Sequence, residues 1–139
     1  MVGLVVTAHG RLAEELVSTA RQIVGELNQI ATCGVDPCSA PEEFKERMRQ
    51  AIHSVDSGDG VIVLADLLGG SPCTSGLSLC SKANVEVLTG VNLPMLLKAN
   101  SLRGTSGQSV AQLATDLTTY GQKNITCASQ MLRARSPAA

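Results

Sequence analysis

The chain has 139 residues, a net charge of −1 and 44% apolar residues, with one Phe, one Tyr and no Trp. That length suits one domain, expected over residues 1–134 with a loose tail at 135–139, whose aliphatic core needs no disulfide or metal to close. The near-neutral charge and the lack of a Lys/Arg cluster exclude a nucleic-acid footprint, and the two arginines of MLRARSP are too few for a membrane surface.

Residues 2–7, VGLVVT, are a short apolar run rich in β-branched residues, the pattern of a strand buried on both faces. Residues 11–27 change period: Leu12, Leu16, Val17, Ala20, Ile23, Val24 and Leu27 share one helical face. Residues 29–35, QIATCGV, predict a second strand. Ser39-Ala40-Pro41-Glu42 reads as a capping box, with Ser39 as cap. Phe44, Met48, Ile52 and Val55 stripe the helix behind it, and Ser57-Gly58-Asp59-Gly60 ends that helix. GVIVLAD, residues 60–66, is the strongest strand. After Leu67-Leu68-Gly69-Gly70, Ser71-Pro72 opens another helix, since Pro is favoured in a first turn. Residues 85–88 predict a fourth strand, residues 94–102 and the stripe Val110, Leu113, Ala114, Leu117 two more helices, and residues 125–128 a final short strand. Strands separated by helices imply an α/β fold, doubly wound, with a mostly parallel sheet between two helical layers.

The remaining composition is restrictive. Five cysteines, at 33, 38, 73, 80 and 127, form no C-x-x-C pair, and the two histidines lack zinc-finger spacing. Reduced thiols in a cytoplasmic protein, with no metal and no cofactor, are expected. No apolar run nears the roughly 20 residues of a membrane span, and the start does not read as a signal peptide.

Ligands of open α/β sheets gather beyond the carboxyl ends of the strands. His9 follows the first strand and Asp66 closes the third. In a sheet of order 2-1-3-4 those strands are neighbours, so the two side chains face one crevice. A carboxylate that accepts one ring N–H fixes the imidazole tautomer and leaves the other nitrogen free to attack. Gly69, Gly70 and Ser71 before a helix can turn backbone amides toward an anion, and Gly10 lets a group approach the first helix. A histidine nucleophile, an orienting carboxylate and a phosphate-sized pocket together point to phosphoryl transfer through phosphohistidine.

Thr7-Ala8-His9-Gly10, Asp66 with Gly69-Gly70-Ser71-Pro72, and Gly90-Val91-Asn92-Leu93-Pro94-Met95-Leu96 resemble the mannose-type enzyme IIA of the bacterial phosphoenolpyruvate-dependent sugar phosphotransferase system. The resemblance spans nearly the whole chain in order and spacing. It implies a cytoplasmic homodimer with a parallel sheet of order 2-1-3-4 and a C-terminal antiparallel strand, within residues 124–131, exchanged between subunits. It implies that His9 takes a phosphoryl group from the carrier HPr and passes it to an enzyme IIB, with Asp66 as orienting carboxylate and Ser71 in the phosphoryl pocket. Where that family often has Thr and Trp, this chain has Leu67 and Leu68. The alternative function is a phosphorylation-dependent regulatory module, or the phosphoryl donor of a dihydroxyacetone-kinase system without its own transporter.

Other readings of these residues are weaker. A receiver domain also carries an Asp after its third strand, but it needs acids after the first strand to hold Mg²⁺, where this chain has Thr7-Ala8-His9. Ser71 lacks the G-x-S-x-G elbow of a hydrolase triad and reads better as a cap on the helix begun by Pro72. His53 and Arg11 read as surface residues, and Cys73 and Cys80 as small core residues.

Overall fold

The computed structural model describes residues 1–67, 71–80, 84–105 and 107–135. Four strands, β1 (Gly3–His9), β2 (Ile30–Val35), β3 (Val61–Ala65) and β4 (Val85–Leu88), form one sheet in the order β2-β1-β3-β4. All three pairings are parallel. The central strands explain the continuous apolar runs: the first six residues of β1 and all five of β3 are buried, because helices cover both faces.

Strand alternation divides the core in two. Leu4, Val6 and Ala8 of β1 point to one side with Ile62 and Leu64. There they meet Ala13, Val17 and Ala20 of α1 (Leu12–Val24), Leu96 and Ala99 of α4 (Leu93–Leu102), and Leu113 and Leu117 of α5 (Val110–Lys123). Val5, Val61 and Val63 point to the other side, against Phe44, Met48, Ile52 and Val55 of α2 (Pro41–Val55). Leu79 of α3 (Ser71–Cys80) packs against this second cluster.

A buried arginine closes the foot of the sheet. Arg103, just past α4 and 5% exposed, donates to the backbone carbonyls of Val2, Asn28 and Gln29. It thereby staples α4 to the entries of β1 and β2.

The structure departs from the sequence reading in three places. The first helix stops at Val24 rather than continuing to 27, because Gly25 turns the backbone at φ +84°. The capping box does not form: Ser39 gives its hydroxyl to the Asp36 carbonyl, Ala40 occupies the cap position, and Pro41 starts α2. The final strand at residues 125–128 is absent among the described residues. Residues 125–127 pair with no strand, and α6 (Ala128–Arg135) follows, built of good helix formers such as Ala, Gln, Met, Leu and Arg. Arg135, expected in the loose tail, ends that helix. No residue of α6 is buried.

Candidate active site

The first question is how His9 reaches water from a buried strand. β1 runs two residues past its pairing with β3, whose last registered pair is Thr7 with Ala65. His9 therefore stands clear, the only exposed residue of β1. Gly10 follows at φ +58°, a left-handed conformation that turns the chain sharply into α1. Asp66 lies one residue beyond β3, on the adjacent strand tip.

The two side chains meet although 57 residues separate them. His9 Nδ1 lies 2.7 Å from Asp66 Oδ2, and the His9 backbone N–H donates to the same oxygen at 2.9 Å. The Leu67 N–H donates to Oδ1 at 2.9 Å. The carboxylate side chain is 10% exposed and the imidazole 52% exposed. Burial of Asp66 disfavours its charge, but the His9 amide, the His9 ring and the Leu67 amide outweigh it and hold the carboxyl below its ordinary value.

The ionised carboxylate only accepts hydrogen bonds, so the ring proton sits on Nδ1. In the neutral imidazole, Nε2 then carries the free lone pair. Because Asp66 Oδ2 binds both the amide and the ring of His9, it forms a small chelate that fixes the ring's direction. The arrangement can serve as a nucleophile, with a set tautomer, a half-exposed ring and a largely buried counter-charge.

The other expected site residues divide. Gly10 adjoins His9 in the turn. Gly69 and Gly70 lie outside the described residues, and so does the side chain of Ser71, whose backbone opens α3. Arg11 is a surface residue, pairing with Glu14 and Glu15 at 3.5 and 3.7 Å, and His53 is exposed on α2. Cys33 is a buried free thiol, and Cys38 and Cys127 are exposed ones. Among the described residues, no group of three or more His, Cys, Asp or Glu is placed to hold a metal ion. No helix of the described residues is long and apolar enough to cross a membrane.

The amides of His9 and Leu67 escaped the sequence reading because backbone donors leave no mark in residue identity. The second tie on the carboxylate is visible only once β1 and β3 are adjacent.

Comparison with known proteins places this chain in a family. The family described as PTS system fructose IIA component, EIIA-man, matches residues 3–126. The chain is 32% identical over 98 residues to the PTS system mannose-specific EIIAB component of Escherichia coli K12, a match covering 70% of this chain and 30% of that longer protein. It is 27% identical over 104 residues to the PTS system fructose-specific EIIA component of Bacillus subtilis, covering 74% of this chain and 71% of that one. Among solved structures, the PTS IIA protein associated with the fucose utilization operon of Streptococcus pneumoniae superposes with a TM-score of 0.83 at 28% identity, covering 95% and 99% of the two chains. The mannose/sorbose specific IIA subunit from Enterococcus faecalis gives a TM-score of 0.81 at 28% identity, over 91% and 93%. With its parallel sheet of order 2-1-3-4, this chain belongs to the mannose-type enzyme IIA family of the sugar phosphotransferase system, whose members carry a phosphoryl group on a histidine.

Proposed function

We propose that this chain is a cytoplasmic phosphoryl carrier that accepts a phosphoryl group from phospho-HPr on Nε2 of His9 and hands it to an enzyme IIB. The observation that carries the reading is the Asp66–His9 chelate, which engages Nδ1 and leaves Nε2 of a half-exposed ring to attack. In the forward step the Nε2 lone pair attacks phosphorus in line. The phosphorus–nitrogen bond to the donor imidazole breaks, and the donor leaves as a neutral ring once it takes up a proton. His9 keeps its Nδ1 proton, and Asp66 balances the positive charge that the ring gains. Transfer to the next acceptor runs the same sequence in reverse. Phosphoryl transfer asks of a protein chiefly position and charge balance, which the His9–Asp66 pair supplies.

The same reading assigns Gly10, Gly69, Gly70 and Ser71 to the phosphoryl pocket. It makes the assembly a homodimer in which residues 124–131 of each chain pair antiparallel with the other subunit. Exposed Ile125, Met131 and Leu132 support this, as does the groove between β4 and α5, where Val87, Leu88, Ala111 and Ala114 lie beside Glu86 and three threonines.

The test is incubation with labelled phosphoenolpyruvate, enzyme I and HPr, followed by mapping of the modified residue. Acid-labile label on His9 is expected, with none on His9→Ala. Equal labelling of His9→Ala would overturn the assignment.

A further inference from the structure

The loop between β4 and α4 is pinned at the rim of the crevice. The β3–β4 ladder ends at Leu64 with Leu88, which leaves the Ala65 carbonyl without a strand partner. Val91 N–H donates to that carbonyl at 3.0 Å, one residue before Asp66. Gly90, at φ +74°, makes the turn that brings Val91 there.

Asn92 holds the other side of the loop with both ends of its amide. Its Oδ1 accepts from Met95 N–H at 2.9 Å and caps α4. Its Nδ2 donates to the Gly121 carbonyl at 3.1 Å. Gly121 lies in the last turn of α5, where carbonyls lack helical partners. The Ile125 N–H that would continue the helix goes instead to Gln122. A Cβ at 121 would lie 2.6 Å from Met95 Cε, the movable end of that side chain, and 3.8 Å from Asn92 Nδ2. One side chain thus caps the start of one helix and the end of another, and fixes the loop that bonds the strand carrying Asp66.

We propose that Asn92 is a positioning residue for the His9–Asp66 pair. It touches neither side chain; it acts through Val91 and the Ala65 carbonyl on the strand end from which Asp66 projects. The rate consequence rests on the phosphoryl-carrier reading, whereas the effect on the imidazole does not.

The experiment compares the full chain with Asn92→Ala, Asn92→Ser and Ser109→Ala. Serine keeps a cap acceptor for α4 but is too short to hold Gly121. Ser109 caps α5 at its opposite end, bonding Gln112 N–H, so its loss weakens a helix of the same bundle away from the crevice. Long-range proton–nitrogen NMR of the His9 ring reports the tautomer without any partner. Acceptance from phospho-HPr, measured at limiting and saturating donor, reports the rate. Asn92→Ala is expected to shift the His9 ring signals toward a mixed tautomer and lower the saturated rate by roughly tenfold, with KM little changed. Asn92→Ser is expected to show the same change, smaller in size. Ser109→Ala should lower the melting temperature but leave ring signals and rate as in the parent. Unchanged ring signals in Asn92→Ala overturn the inference, as does an equal change in Ser109→Ala. If the parent accepts no phosphoryl group, the phosphoryl-carrier reading falls, and the ring spectrum still decides the role of Asn92.

Discussion

Two oxygens of Asp66 accept three N–H groups, and two of those donors belong to His9. Asp66→Asn keeps the shape but replaces an obligate acceptor by an amide that can also donate. The ring can then put its proton on either nitrogen. Phosphoryl acceptance is expected to fall by about tenfold to a hundredfold, with the sheet intact by circular dichroism; an unchanged rate would remove Asp66 from the mechanism. The same carboxylate makes stability depend on acid. Its folded pKa lies below the unfolded one, so its contribution is full at neutral pH and is lost as pH falls through the lowered value. Urea melts of the parent and Asp66→Asn should therefore differ above about pH 5, and the difference should shrink in stronger acid as the carboxyl takes up its proton. A gap that stays undiminished in strong acid would contradict this. His9 and Asp66 were legible as residues because a polar side chain at the end of an apolar run stands out. The Leu67 and His9 amides on Asp66 were not, since backbone donors leave no mark in residue identity; Gly69 and Gly70, read from the sequence as part of the pocket, lie outside the described residues.

The strands were the most legible elements. β1 and β3 sit in the middle of the sheet, so both faces select apolar residues and the runs are unbroken. Leu64 illustrates the cost of breaking such a run: it is fully buried in β3. Leu64→Ala is expected to remove about 2–5 kcal/mol of stability by chemical denaturation, while the remaining folded fraction still labels on His9. A loss below about 1 kcal/mol would mean that the neighbouring helices close the gap. Helix ends were less legible, because a cap is a choice between competing hydrogen bonds. Ser39 satisfies Asp36 instead of α2, whereas Asn92 and Ser109 do cap helices. The C-terminal segment was misread locally for a different reason. Its apolar residues fit a strand only if an open edge is available, and within one chain the helix-forming sequence of 128–135 prevails.

At the scale of the whole molecule, β4 leaves one sheet edge open and the C-terminal apolar residues lie uncovered. Exposed edges and apolar side chains of this kind favour association. If the proposed exchange holds, the parent should sediment as a dimer and removing residues 125–139 should yield a monomer; unchanged sedimentation would refute exchange through this segment. The opposite edge of the fold has its own long-range closure. Arg103 reaches back 101 residues to Val2, and 75 and 74 residues to Asn28 and Gln29. This couples assembly to the direction of synthesis. Carbonyls made near the outset wait for a donor that emerges only after α4, so ribosomes halted upstream of it hold nascent chains whose first two strands are still unfastened at the base. Brief protease treatment of such arrested chains, set beside ones released after Arg103, would read that difference as early cleavage near residues 25–29.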